Sequence, residues 1–350
     1  MVDLPHHPAT VKTELSLKLP AHLLRGVQRL VDKILPTPRL PDGVVVHRIE
    51  VPSRDTKGEA GPRYILVDVY ESQVAAAEQA RTKPVPVHIS LHGSGFVTPN
   101  LGQDIEFTGW LAAQPAFLAE GAVVFDTDYR KAPEHPFPAP LEDVEDVIRY
   151  VFSKPDFYDR SRITLGGFSA GATLSLSASY TVSSGVAFPG EDIKIPIAAV
   201  SSAYPATDMR PDDARDSVRE PLTMVDKSGA GAALPKSLTD WFTKAYLVDE
   251  KDAFDKRVSV TLLDQQELPR HVLVAAGEAD SLFPEAKHFV DKLQSQGHPD
   301  ATFLNVGAEG HGFDKHARTL VSQLHTDALN VMMLQNILRG WEQAKEKQTA

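Results

Sequence analysis

The chain contains no cysteine. That excludes a disulfide framework and any thiolate-bound metal, and it leaves the redox compartment undecided. Long apolar runs are also missing, so no segment reaches the roughly 18 apolar residues that a membrane-spanning helix needs. Basic runs are absent too, and the formal net charge is −11, which argues against nucleic acid or a membrane surface as partner. The N-terminus, Met1 to Pro8, has no basic region followed by an apolar core and does not read as a secretory signal, so a cytoplasmic protein is expected. His6 and His7 sit in a polar terminus and read as solvated rather than metal-bound. No internal repeat or low-complexity segment is present.

At 350 residues the chain can hold one large α/β domain with an insertion. Residues 11–35 carry apolar positions at helical spacing, interrupted by Pro20. The runs 44–51 and 63–70 read as an antiparallel strand pair joined by a polar loop. Further strands are expected at 85–91, 122–128, 162–165, 195–201, 271–276 and 302–306, with helices near 141–152, 172–178, 284–296 and 317–345. Alternation of buried strand runs with helices predicts a mostly parallel sheet covered on both faces. Residues 205–255 break that alternation. They are rich in charge, proline and glycine, yet Trp241, Phe242, Tyr246 and Leu247 fall at helical spacing. An insertion there lies on the carboxyl side of the sheet, where open α/β folds place ligands. With residues 1–42 it would form a cap on a single domain spanning 1–350.

The segment Gly167-Phe168-Ser169-Ala170-Gly171 has the pattern Gly-x-Ser-x-Gly between a strand and a helix. That is the setting of a nucleophile elbow, with glycines where strand and helix must approach closely. Acyl transfer by serine further needs a base, an acid to orient it, and donors for the oxyanion. Asp280 follows the strand 271–276, and His311 follows the strand 302–306. Each lies past a strand's carboxyl end, and the order Ser, Asp, His is that of an α/β-hydrolase. Glu278 competes for the acid role. The loop His92-Gly93-Ser94-Gly95 follows another strand, so the amides of Gly93 and Ser94, with that of Ala170, are the expected oxyanion donors. His92 reads as a structural residue of that loop rather than a second base.

Taken together, His92 to Phe96, Asp128 to Pro140, Gly167 to Gly171, and Asp280 with His311-Gly312-Phe313 resemble the hormone-sensitive-lipase-like group of α/β-hydrolases, the bacterial family IV esterases. The resemblance implies an α/β-hydrolase fold with a helical cap. It also implies hydrolysis of small to medium carboxylic esters through an acyl-enzyme on Ser169, without metal or other cofactor. The partner is then a small-molecule ester, and a homodimer is compatible with the pattern. Phe168, Trp241, Phe242 and Tyr246 are the candidate substrate contacts, and leucines 15, 19 and 23 would close the pocket from the other side. Lactone opening, amide hydrolysis or acyl transfer on the same site, or ligand binding without catalysis, are the alternatives. Two positions depart from the family. Ser94 stands where a glycine is usual, and serine would be strained there if positive φ is required. Phe168 stands where an acidic residue is frequent.

Overall fold

A computed structural model describes residues 15–34, 38–55, 62–77, 83–217, 234–315 and 319–349. His6, His7 and the part of the insertion at 218–233 lie outside the described residues. Eight strands among them form one sheet: β1 (Val44–Pro52), β2 (Tyr64–Ser72), β3 (Val85–Leu91), β4 (Val123–Thr127), β5 (Tyr158–Phe168), β6 (Ala199–Ala203), β7 (His271–Ala276) and β8 (Ala301–Asn305). Their spatial order is β1-β2-β4-β3-β5-β6-β7-β8. β1 pairs antiparallel with β2, β2 antiparallel with β4, and every later pairing is parallel. Strands β3, β4, β6 and β7 are buried along their whole length, as a sheet covered on both faces requires.

The described helices are α1 (Leu15–Ile34), α2 (Gln73–Ala77), α3 (Ile105–Ala112), α4 (Pro115–Glu120), α5 (Ala139–Phe152), α6 (Ala170–Ser184), α7 (Lys236–Tyr246), α8 (Phe283–Ser295) and α9 (Leu320–Thr349). α5, α6 and α8 cover one face, over a core that includes Val87, Ile89, Leu165, Leu174 and Phe289. α3, α4 and α9 cover the other, with Phe107, Phe117, Phe168, Leu329 and Trp341 in the core. α2, α3 and α4 lie where the sequence pattern predicts no helix.

α1 corrects two expectations. It is continuous through Pro20. A helix-interior proline loses its own amide hydrogen bond and crowds the carbonyl four residues back, and tertiary contacts on the next turn hold the helix in spite of it. Ala21 is buried, and Arg25 donates to Val97 O (2.9 Å), Ala132 O (2.7 Å) and both carboxylate oxygens of Glu134. Those contacts choose the inward face, and they turn Leu19 and Leu23 outward, where they are 66% and 70% exposed. These leucines therefore do not close a pocket; the side chain of Leu15 lies outside the described residues. α7 meets α1 through a small apolar cluster of Ala21, Val97, Ala132 and Ala245, against which Trp241 and Phe242 pack.

Candidate active site

The turn between β5 and α6 is fixed by backbone contact. A Cβ on Gly167 would lie 2.7 Å from Leu91 O and 2.6 Å from the carbonyl carbon of Gly171. One on Gly171 would lie 2.1 Å from Leu91 O. Only glycine fits either position, and that is why strand and helix come close enough to force a sharp turn. Ser169 occupies it at φ 52°, ψ −120°, a conformation that a non-glycine residue holds only under constraint. Its N–H donates to Ala203 O at 2.9 Å, and its carbonyl accepts from Thr173 N at 3.1 Å.

His311 Nε2 lies 2.8 Å from Ser169 Oγ, and His311 Nδ1 lies 2.7 Å from Asp280 Oδ2. A carboxylate can only accept, so the Nδ1–H donates to Asp280 and Nε2 is left to accept the serine proton. Asp280 is fully buried, and its other oxygen accepts from Leu282 N at 3.0 Å. The loops that carry Asp280 and His311 are joined through their backbones. Glu278 N donates to Gly307 O at 2.7 Å and Ala279 N to Glu309 O at 3.1 Å, and a Cβ on Gly277 would strike Glu309 O at 2.1 Å. Glu278, the competing acid, accepts instead from Asn305 Nδ2 at 2.7 Å near the surface.

Tyr204, at the end of β6, supports His311 from the side, and no sequence pattern marked it. Its ring packs edge-on against the imidazole with centroids 4.7 Å apart. Its hydroxyl donates to Asp314 Oδ1 at 2.6 Å. Burial, and then the nearby Asp314 carboxylate, push the Tyr204 phenol well up, so it stays a donor. Asp314 and Asp104 in turn flank Lys315 at 2.7 and 2.5 Å. Burial opposes the Lys315 charge, but the two carboxylates outweigh it and raise its pKa.

Gly93 lies against the nucleophile: a Cβ there would be 3.4 Å from Ser169 Cβ. The amides of Gly93 and Ser94 have no acceptor among the described residues, and Ala170 opens α6, where backbone N–H groups are free of helix partners. These three donors are thus available to a developing negative charge beside Ser169. His92 is fully buried beneath this loop, with Nε2 3.3 Å from Asp128 Oδ1. Burial, aided by the Lys131 charge, lowers its pKa. Its ring stacks on Tyr129, with centroids 4.6 Å apart, and its Nδ1 lies 3.1 Å from Gly93 O, so both ring nitrogens face partners other than Ser169.

The candidate substrate contacts divide. Phe168 has no exposed surface; its ring packs edge-on against Phe107 and under the Lys315 ammonium, which is 3.4 Å from its centroid. Tyr246 is 1% exposed and stacks on Phe96 at 3.9 Å. Both are core residues, because strand alternation sends Phe168 to the α9 side and α7 turns Tyr246 inward. Phe242 instead lies over the loop at 92–96: a Cβ on Gly95 would fall 2.5 Å from its ring. Trp241, half-buried, packs beside it with centroids 5.3 Å apart. Ser94 is not at positive φ; the left-handed positions are Gly95 (φ 55°) and Phe96 (φ 64°), so the expected strain at Ser94 is absent.

A family model of the alpha/beta hydrolase fold matches residues 88–315, well over half the chain. An AB hydrolase superfamily protein of Schizosaccharomyces pombe is 25% identical over 71% of this chain and 67% of its own length. Esterase LipI of Mycobacterium tuberculosis is 33% identical over 43% of each chain. A gibberellin receptor of rice also matches, at 25% identity over 49% of this chain. Apart from the S. pombe protein, the chain spans about half the length of the curated relatives it matches. Among solved structures, a bacterial heroin esterase superposes with a TM-score of 0.71 at 21% identity, covering 92% of each chain. The elbow, the two strand-end loops and the matched segment agree: the chain belongs to the alpha/beta hydrolase fold family, in its hormone-sensitive-lipase-like, carboxylesterase-like group.

Proposed function

We propose that the protein is a serine carboxylesterase that hydrolyses small to medium acyl esters. The observation that carries the reading is the unbroken hydrogen-bond line Asp280–His311–Ser169 beside three free backbone donors. Ser169 Oγ attacks the ester carbonyl while its proton passes to His311 Nε2. The carbonyl oxygen takes up the negative charge opposite the amides of Gly93, Ser94 and Ala170. Asp280 holds the imidazole tautomer and stabilises the imidazolium. His311 then protonates the leaving alcohol, and an acyl-Ser169 remains. Water gives a proton to His311 as it attacks this ester, and collapse returns the proton to Ser169 Oγ and releases the acid. One relative is named as a receptor, and ligand binding without turnover is the alternative reading. The complete relay favours catalysis over ligand binding in this chain.

Trp241 and Phe242 make the cap side of the site apolar. Each buried methylene of an acyl chain contributes about 0.8 kcal/mol until it meets that wall. Activity (kcat/KM) on p-nitrophenyl esters is expected to rise from acetate to butyrate or hexanoate and then fall. Trp241→Ala should move the optimum to longer chains. Best activity on palmitate emulsions, or an unchanged profile in the variant, contradicts this picture of the pocket.

A further inference from the structure

The amides of Gly93 and Ser94 work only if the loop that carries them stays in place, and the sheet does not hold it there. The β3 ladder ends at Leu91. Beyond it the chain turns through two consecutive left-handed residues, and the second, Phe96, is a bulky one that avoids this region unless constrained. Backbone bonds hold the Ser94 carbonyl (from Val97 and Thr98 N–H, both 3.0 Å) and the Phe96 carbonyl (from Ala132 N–H, 2.8 Å), and the Phe96 amide is tied back through hydroxyls. Phe96 N–H donates to Ser94 Oγ at 2.8 Å. Ser94 Oγ lies 2.7 Å from Tyr129 Oη, and Tyr129 Oη donates to His92 O at 2.6 Å. An amide at one end can only donate and a carbonyl at the other can only accept, so the direction of each proton is fixed. Phe96 N–H gives to Ser94, Ser94 gives to Tyr129, and Tyr129 gives to His92. Both hydroxyls are buried. The line therefore ties residue 92 to residue 96 and closes a ring around Gly93, Ser94 and Gly95.

We infer that the Ser94 hydroxyl is a positioning group that holds the oxyanion loop in its working shape, and that it is not itself an oxyanion donor. Its single proton is committed to Tyr129. A residue without the hydroxyl leaves the Phe96 amide and one side of Tyr129 Oη buried without a partner. The inference rests on the ester-hydrolase reading of the site.

The test uses the full chain with Ser94→Ala, Ser94→Thr, Tyr129→Phe and the Ser94→Ala/Tyr129→Phe double variant. Steady-state kinetics on one short activated ester are paired with inhibition by a trifluoromethyl ketone, whose adduct on serine carries the oxyanion. Ser94→Ala is expected to lower kcat about tenfold with KM nearly unchanged, less than the about 10²-fold cost of removing a donor outright. It should weaken the ketone by a similar factor. Ser94→Thr restores the hydroxyl and should recover most of the loss. The double variant should be no worse than the worse single variant, because either change opens the same line. Equal kcat and ketone affinity in Ser94→Ala, no rescue by threonine, or losses that multiply in the double variant each overturn the inference. If Ser94→Ala does not fold, Tyr129→Phe carries the same kinetic test alone. Organophosphonate labelling of wild-type Ser169 separates the two claims: no adduct removes the ester-hydrolase reading and this inference with it, whereas a labelled, active wild type with unaffected variants overturns the inference only.

Discussion

The Ser169 turn and the loop at 92–96, the proposed nucleophile and oxyanion elements, lie against each other and are held by different means. At the turn the constraint is backbone against backbone, with Gly167 and Gly171 pressed on Leu91 O. In the loop side chains join the backbone bonds at Ser94 O and Phe96 O: Ser94 and Tyr129 brace it from below, Asn100 Nδ2 donates to Gly93 O at 2.7 Å, and Phe242 and Tyr246 of α7 cover Gly95 and Phe96. A wall made of backbone tolerates no substitution, and one made of side chains can be adjusted by degrees. In the proposed mechanism the first fixes where the nucleophile is, and the second sets how well the opposite charge is received.

That contrast is tested most severely at Gly171. Alanine there places Cβ 2.1 Å from Leu91 O, so Gly171→Ala should fail to fold or melt about 4 °C lower or more, as overpacking of about 3 kcal/mol or more requires in a chain of this length. Gly26→Ala is the control: nothing lies within 4 Å of its added Cβ, and a helical glycine replaced by alanine should gain up to about 1 kcal/mol. Thermal melts of both variants decide whether backbone contact, rather than glycine as such, defines the turn.

Next comes the acid. Asp280→Asn should keep the fold and lower kcat about 10⁴-fold, because asparagine favours the wrong imidazole tautomer. Glu278→Gln should stay within about twofold, since its carboxylate meets Asn305 and not His311. Steady-state kinetics that reverse this order would reassign the acid.

The smallest effect concerns stability alone. Glu145 on α5 accepts from Thr181 of the elbow helix at 2.6 Å and pairs with Arg54 at 3.0 Å. Burial pushes its pKa up to about 7, against the pull of Arg54. A raised carboxyl is most stabilising below its unfolded pKa and loses that stability as pH rises through about 7. Glu145→Gln, which cannot ionise, should therefore gain Tm relative to wild type between pH 5 and pH 8, by a few degrees, with kcat unchanged. A gap that narrows over that range contradicts the assignment.

The sequence carried most of what positions the nucleophile. Strand runs, the paired glycines and the residues just past β7 and β8 are local signals, and local signals survive folding. What it concealed depends on direction. The alternation that buries β5 also sends Phe168 to the α9 face, away from substrate, and periodicity alone does not say which face is which. The leucines of α1 mark an apolar stripe, but Arg25 and Ala21, not the stripe, choose the inward side. Ser94 read as a strained glycine substitute because the loop's left-handed residues could not be counted off; they fall at 95 and 96. Tyr129 lay within the family segment with no role attached, and Tyr204 had no signal at all beyond its place at a strand end.

The central claim is that Ser169 is an activated nucleophile, and intact-mass spectrometry after exposure to an organophosphonate ester tests it most directly. One adduct per chain is predicted, mapping to the Ser169 peptide after digestion and absent in Ser169→Ala, which should also lose on the order of 10⁶-fold in kcat. An unmodified wild-type chain, or an adduct that persists in Ser169→Ala, would contradict the account.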